Sequence, residues 1–232
     1  MNMIETVNVQ KRYQVGEGVI RAVDGIDLTV PVGEFLCISG RSGSGKSTLL
    51  SLLAGLEGPT DGEVLLLGEH MERMDERQRS RFRREHIGFV FQSYNLLPQF
   101  CAWENVALPL EIRGVPLKER RQRAMEVLEL VGLKSHAGHR PTELSGGQQQ
   151  RIGIARAIIT RPDLVFADEP TGNLDTRTGQ EIMELLRRIF RQWGTTFLLV
   201  SHDEDMRLYT DREIRLRDGK IDKIYLREEE RE

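Results

Sequence analysis

The segment Gly40–Thr48 carries the strongest chemical signal in the chain. It reads GRSGSGKST and fits the spacing G-x-x-x-x-G-K-[ST]. Its glycines let backbone N–H groups turn inward, and a helix starting at the end of the loop adds the positive end of its dipole, so the segment suits a polyphosphate. Lys46 is expected to reach the β- and γ-phosphates, and Ser47 to offer a hydroxyl to Mg²⁺. The residues expected to contact a nucleotide are Gly40, Ser42, Gly43, Ser44, Gly45, Lys46, Ser47 and Thr48. The alternative is a glycine turn that only caps a helix.

Two adjacent carboxylates, Asp168 and Glu169, follow the apolar run Leu164–Ala167. Ligands of open α/β sheets bind at the carboxyl ends of the strands, so this pair is placed to meet the same phosphates. We expect Asp168 to hold Mg²⁺ through water and Glu169 to polarise the attacking water. Taken alone, an Asp-Glu pair after a strand more often caps a helix. The glycine loop upstream favours the functional interpretation.

A second glycine-containing segment, Leu144–Gln148, reads LSGGQ and precedes the helical run Ile152–Ile159. Ser145 offers a hydroxyl, and Gly146 and Gly147 expose backbone N–H groups at a helix N-terminus, so the segment can form a second anion-binding nest. The alternative is a capped helix start. Capping, however, does not need two glycines.

The elements around these segments predict an α/β core. Phe35–Ser39 is a near-continuous apolar run, typical of a buried parallel strand, and Ser47–Ala54 is the predicted helix after the glycine loop. Leu164–Ala167 and Thr196–Val200 are further buried strands, with the helix Thr178–Gln192 between them as in a βαβ unit. The other predicted strands are Ile4–Val9, Val19–Val30, Glu63–Leu67, Ile87–Phe91, and the hairpin Arg212–Leu216 with Lys220–Leu226.

Helical spacing replaces strand-like runs between Ser93 and His139. Trp103–Ile112 and Lys118–Val131 are predicted helices. We interpret the region as a helical lobe, which makes residues 1–232 one domain with a core of 1–92 and 164–232 and a helical subdomain of about 93–163. Arg227–Glu232 is expected to be a charged, frayed end.

Composition and charge exclude several classes of protein. Lys+Arg 33 nearly balances Asp+Glu 36, so there is no basic excess of the kind a DNA-coating protein carries. The charged run Arg73–Glu85 is therefore predicted to be a solvated helix face. No stretch approaches a membrane span and Met1–Glu5 lacks the start of a signal peptide, so we expect a cytoplasmic chain. The two cysteines, Cys37 and Cys101, predict no disulfide framework.

Leu144–Gln148 resembles the signature of ATP-binding cassette (ABC) ATPases. The other motifs of that family occur along this chain in the same order as in the family. The resemblance implies a P-loop NTPase fold with a RecA-like core, an antiparallel β subdomain and an inserted helical subdomain. It also implies ATP and Mg²⁺ as ligands and two copies paired head to tail, with each glycine loop facing the partner's Ser145, Gly146, Gly147 and Gln148. The remaining matched positions are Tyr13 for adenine stacking, Gln92 for the γ-phosphate and the metal, Asp175 in the loop that crosses to the partner, and His202 as the switch histidine.

These single residues also have simpler interpretations. Tyr13 alone would more often be a packed aromatic, and His202 could neighbour a helix cap. The other four histidines are predicted to be surface residues without acidic or cysteine neighbours at ligand spacing: His70, His86, His136 and His139.

Three stretches, Ile87–Pro98, Glu104–Leu110 and Ala167–Asp175, are similar to the bacterial subfamily of lipoprotein-release, macrolide-efflux and cell-division-associated ABC ATPases. That similarity implies a separate membrane permease, with the ATPase bound at the inner face of the membrane. A regulatory ATPase that signals to envelope enzymes stays open. A DNA-clamping relative is disfavoured by the acidic net charge and by the absence of a long coiled coil, so no nucleic acid is expected. The apolar residues 100–103 are either a partner patch or core packing.

Overall fold

The computed structural model describes residues 1–227, except the side chains of Glu204 and Asp205. The predicted frayed end therefore lies mostly outside the described residues. In chain order the elements are β1 (Asn2–Val15), β2 (Gly18–Pro31), β3 (Phe35–Ser39), α1 (Lys46–Leu53), β4 (Asp61–Leu66), β5 (Glu69–His70), α2 (Glu76–His86), β6 (Ile87–Val90), α3 (Ala102–Ile112), α4 (Leu117–Leu130), α5 (Gly146–Ile158), β7 (Leu164–Asp168), α6 (Thr176–Trp193), β8 (Thr196–Ser201), β9 (Arg212–Arg217) and β10 (Lys220–Leu226).

A six-stranded sheet forms the centre of the fold, in the order β10-β9-β3-β8-β7-β6. Its five strands from β9 to β6 are mutually parallel, and β10 pairs antiparallel with β9 at one edge. Strands β3, β7 and β8 are the apolar runs of the sequence, and they are buried because helices cover both faces. The carboxyl ends of β3, β7 and β8 therefore lie side by side at one edge of the sheet.

The second sheet is antiparallel, in the order β2-β1-β4-β5. Its inner face shares a hydrophobic core with α1 and one face of the central sheet, built on residues such as Ile26, Leu52 and Phe166. The opposite face of the central sheet shares a separate core with α3, α4, α5 and α6, where Phe35, Ile154 and Leu186 meet. The central sheet thus contributes one of its faces to each core.

Several element boundaries differ from the sequence prediction, among them those of β1, of α2 and of α5, which begins at Gly146 instead of Ile152. Strand β1 runs from Asn2 to Val15 instead of Ile4–Val9, because it stays paired with β2 through register shifts near Asn8, whose φ is 45°. Helix α2 begins at Glu76, three residues later than predicted. Asp75 caps it, accepting a hydrogen bond from the Gln78 N–H, and the Gln78 side chain returns to the Asp75 N–H.

Among residues 1–227, no helix combines the length and the apolar character needed to cross a bilayer.

Candidate nucleotide site

The glycine loop connects β3 to α1 at the carboxyl edge of the central sheet. Gly45 is the residue before α1, at φ 99°, where a Cβ would collide with the Ala22 carbonyl, so only glycine fits. No side chain caps α1, and no acidic residue lies in its first turn. The backbone N–H groups at this end are therefore available to an anion.

The Lys46 side chain is almost fully buried under this loop. Its Nζ donates to the Gly40 carbonyl at 2.8 Å and to the Arg41 carbonyl at 3.1 Å. The Ser44 hydroxyl is buried beside it without a hydrogen-bond partner among the described residues. A buried ammonium held only by carbonyls and an unpaired hydroxyl suit a site built for oxygen-rich anions.

A cleft of about 750 Å³ opens at the loop and brings together residues from six parts of the chain. Among the sequence-predicted residues it is lined by Tyr13, Ser42, Gly43, Gly45, Lys46, Ser47, Thr48, Glu169 and His202. Gly40 and Ser44 line the adjoining recess, together with Ser42, Gly43 and His202. The cleft thus joins an aromatic residue, an ammonium group and a carboxylate around one volume.

The two carboxylates lie where β7 ends. Asp168 is its last residue, and burial raises the pKa of this carboxyl; neighbouring Glu169 raises it further, and Lys46 opposes both. Glu169 adopts a left-handed φ of 43°, and its N–H donates to the Val200 carbonyl at 2.9 Å. Its Oε2 lies 3.3 Å from Nδ1 of His202. The carboxylate is thereby directed along the edge of the sheet and toward the cleft.

Gln92 lies close to Glu169, and Asp175 lies at the start of α6, a few residues after it in the chain. A Cβ on Gly172 would lie 2.7 Å from Gln92 Nε2 and 3.2 Å from Glu169 Oε2, so the glycine permits both side chains to approach this turn. Asn173 Nδ2 donates to the Gln92 carbonyl at 3.0 Å. Asp175 caps α6, and its hydrogen bonds from Thr178 lower the pKa of the Asp175 carboxyl.

Tyr13 stands at the other end of the cleft, in β1. Its hydroxyl donates to Glu57 Oε2 at 2.8 Å, and Lys11 Nζ lies 3.1 Å from the same carboxylate oxygen. Burial, followed by the bond to Glu57, raises the pKa of the Tyr13 phenol. The ring is thus held at the cleft wall by its hydroxyl, and Lys11 Nζ lies over the ring, 5.3 Å from its centroid.

The signature segment is not brought to this cleft. Ser145, Gly146, Gly147 and Gln148 are absent from its lining and lie at the start of α5. Ser145 Oγ accepts a bond from the Gln148 N–H, and Gln148 Oε1 accepts one from the Ser145 N–H, so the segment is a capping box. The capped-helix interpretation is therefore realised here, and the two glycines lie beside Tyr94 and Thr178.

Sequence reasoning missed two polar side chains of α5, one fully buried and one half-buried. Gln150 is fully buried and donates to the Pro170 carbonyl, while Arg156 donates to the carbonyls of Tyr94 and Asn95. Burial lowers the pKa of the Arg156 guanidinium. The signal was the spacing of Gln150 four residues before Ile154, which places it on the buried face of the helix.

Two of the histidines predicted to lack acidic neighbours have them. His70 Nδ1 lies 2.7 Å from Glu72 Oε1 and 3.6 Å from Glu63 Oε2, and His86 Nδ1 lies 2.7 Å from Asp163. Glu63, His70 and Glu72 form the one group of metal-type ligands within the described residues, outside the cleft. The prediction failed because β4, β5 and the following turn bring these residues together.

Core packing accounts for part of the apolar residues 100–103. Ala102 is buried in the core and Trp103 packs against it, with the Arg121 guanidinium 5.5 Å from the indole ring. Phe100 and Cys101 are half-buried. Core packing explains Ala102 and Trp103.

A largely parallel central sheet, a glycine loop that leads from β3 into a helix without a side-chain cap, and two carboxylates at the end of β7 together define a nucleoside triphosphate-binding protein of the P-loop class. The family model described as "ABC transporter" matches residues 23–172. The chain belongs to this family, and it is an ABC-type ATPase that binds ATP with Mg²⁺ and hydrolyses it. The resemblance and the fold class predicted from the sequence are confirmed.

Curated relatives and a solved structure are similar to this chain along nearly its whole length. An ABC transporter ATP-binding protein of Thermotoga maritima is 51% identical over 222 residues, covering 96% of this chain and 94% of its own. The lipoprotein-releasing system ATP-binding protein LolD of Psychrobacter arcticus is 46% identical over 218 residues, covering 94% and 96%. A dimeric post-hydrolysis structure of the ATP-binding cassette MJ0796 bound to ADP and Pi superimposes with a TM-score of 0.90 at 41% identity, covering 98% of this chain and 100% of the other.

Proposed function

We propose that the chain is the ATP-hydrolysing subunit of a bacterial ABC transporter or mechanotransmission complex, and that it works as a head-to-tail pair of copies. The main observation in support of the pair is that Ser145–Gln148 lie outside the cleft of their own chain. In the pair, the segment of one copy covers the triphosphate bound to the glycine loop of the other. The dimeric MJ0796 cassette, similar over nearly its whole length, supports this arrangement.

The residues predicted for the nucleotide site have proposed roles toward ATP. Tyr13 stacks on adenine, and Lys46 exchanges its bonds to loop carbonyls for bonds to the β- and γ-phosphates. Residues Gly40–Thr48 surround the phosphates with backbone N–H groups. Gln92 and Asp175 lie where the partner's segment would close over the γ-phosphate. His202, held against Glu169, senses the γ-phosphate.

The residues proposed to hold Mg²⁺ suit that ion. Asp168, Ser47 and Gln92 offer a carboxylate, a hydroxyl and an amide oxygen, the oxygen donors that Mg²⁺ prefers. A half-buried carboxyl with a raised pKa, as at Asp168, gains its charge most readily beside a cation. When bound, Mg²⁺ offsets the negative charge of the β- and γ-phosphates.

Glu169 is the proposed general base. It accepts a proton from the attacking water as the bond from water oxygen to Pγ forms and the bond from Pγ to the bridging oxygen of ADP breaks. His202 keeps the carboxylate in place, with 3.3 Å between the two side chains. A positioned base contributes about 10²–10⁴-fold to the rate.

The domain organisation is part of the proposal. Residues 1–92 and 164–232 form the nucleotide-binding core, and residues of about 93–163 form a helical subdomain that contacts the permease. The chain is cytoplasmic and peripheral at the inner face of the cell membrane, held there by a membrane permease; the LolD relatives are named as ATP-binding proteins of a lipoprotein-releasing system.

Glu169→Gln tests the proposal. The variant should bind ATP, lose turnover and form a dimer with ATP, seen as a doubling of the 26.6 kDa mass by light scattering. A variant that stays monomeric with ATP under all conditions would contradict the head-to-tail pair. Purification of the wild-type chain with its membrane partner, followed by identification of that partner, would separate transport from a regulatory role.

A further inference from the structure

The buried amide of Gln150 joins two parts of the site that are far apart in the sequence. It lies in α5, five residues after Ser145, and is fully buried. Its Nε2 donates to the carbonyl of Pro170 at 2.7 Å, and Pro170 directly follows Glu169. The helix that begins with the signature segment therefore touches the turn that carries the proposed base.

That turn holds Glu169 in a conformation that needs support. A left-handed φ of 43° is unfavourable for a glutamate and persists only where its surroundings fix it. The Glu169 N–H donates to Val200, and the Glu169 carbonyl accepts from the Gly172 N–H at 3.0 Å. Gln150 supplies the next anchor along the chain. Three successive backbone groups are thus fixed: the Glu169 N–H by β8, the Glu169 carbonyl by the turn itself, and the Pro170 carbonyl by α5.

The other half of the Gln150 amide indicates that stability is not its main contribution. Its Oε1 is buried and has no hydrogen-bond partner among the described residues. An unpaired buried oxygen opposes folding, so this amide is a poor device for stabilising the core. Its single bond is nevertheless directed at the residue after Glu169.

We propose that Gln150 is a positioning residue for Glu169, fixing the base relative to the helix whose N-terminus carries Ser145, Gly146 and Gly147. The inference rests on the proposed function, in which that N-terminus engages the partner's ATP. The orientation of the base in one site then depends on the helix that closes the other site. Arg156, on the same helix, secures the Tyr94 and Asn95 carbonyls after Gln92 in the same manner.

Gln150→Met tests this role, because methionine keeps the shape of the side chain and removes the donor. We expect kcat to fall about 10- to 100-fold, the effect of a base displaced by about 1 Å, while the KM for ATP changes by less than about 2-fold. Thr6→Val is the matched control. It removes another buried bond, from Thr6 Oγ1 to the Ile26 carbonyl at 3.0 Å, and should leave kcat unchanged.

Gln150→Glu separates positioning from packing. Burial raises the pKa of a carboxyl, and its protonated form can donate to the Pro170 carbonyl. The variant should therefore approach wild-type kcat near about pH 6 and lose activity relative to wild type toward about pH 9. A role in packing alone would give a pH-independent ratio to the wild type.

Three results would overturn the inference: a Gln150→Met kcat within about 2-fold of wild type, an equal loss in Thr6→Val, or a pH-independent Gln150→Glu ratio. The double variant Glu169→Gln with Gln150→Met should still dimerise with ATP. If Glu169→Gln alone stays monomeric, the proposed function fails. If it dimerises and Gln150→Met keeps its kcat, only the role of Gln150 fails.

Discussion

Helices α1 and α5 both begin at glycines that can face phosphate, but their N-termini are prepared differently. The start of α1 has no side-chain cap, lies in a cleft of about 750 Å³ and has Lys46 beneath it. The start of α5 is closed by the Ser145–Gln148 capping box and lies outside that cleft. The first end is ready to bind a triphosphate by itself. The second already has part of its hydrogen bonding satisfied and suits a weaker contact made when another chain arrives.

The largest expected effect comes from removing the charge at the first helix. Lys46→Ala should weaken ATP binding about 100-fold, because bonds from an ammonium to phosphate are lost. Titration with a fluorescent ATP analogue measures this. Lys220→Ala, which removes an exposed ammonium from β10, is the control and should bind normally. Equal binding by Lys46→Ala would show that the two helix ends do not differ as described.

At the second helix, Ser145→Ala should leave ATP binding by the monomer unchanged and lower turnover about 100-fold, the cost of one lost transition-state donor. It also loses a cap worth about 1 kcal/mol. Asp75→Ala, in the capping box of α2, loses the same kind of cap and is the matched control. Both variants should unfold at lower denaturant concentration, and only Ser145→Ala should hydrolyse slowly. A similar loss of turnover in both would reduce the segment to a helix cap.

The adenine end of the cleft should show a moderate effect. Tyr13→Ala should weaken ATP binding about 10-fold through lost stacking. Tyr13→Phe keeps the ring and loses the hydrogen bonds of the hydroxyl, chiefly the one to Glu57, so its affinity should stay near the wild type. If the phenylalanine variant binds as poorly as the alanine variant, the hydroxyl matters more than the ring face.

The smallest effect is on stability and has opposite signs at two aspartates. Because the pKa of Asp168 is raised in the folded chain, its carboxylate form destabilises the fold at pH values above the ordinary pKa of an aspartate. The pKa of Asp175 is lowered, so its carboxylate form stabilises the fold in the same pH range. At neutral pH without nucleotide, Asp168→Asn should raise the melting temperature, and Asp175→Asn should lower it. Both differences should shrink as pH falls into the acid range. The same sign for both would contradict the assigned environments.

The sequence predicted the parts of the molecule whose signals are local. The glycine loop, the buried strands Phe35–Ser39 and Thr196–Val200, and the inserted helices all appear within a few residues of their predicted bounds. The acidic neighbours of His70 and the bond from Gln150 to Pro170 could not be predicted in the same way. They depend on which turn faces which helix, and that follows from the packing of the two cores on the central sheet.

The central claim is that Ser145–Gln148 of one chain contact the ATP of another, and one measurement tests it most directly. This measurement is the mass in solution, at saturating ATP, of the double variant Glu169→Gln with Ser145→Arg. The account predicts a chain that binds ATP and remains at 26.6 kDa while Glu169→Gln alone doubles its mass. An ATP-driven dimer of the double variant, as tight as that of Glu169→Gln, would contradict it.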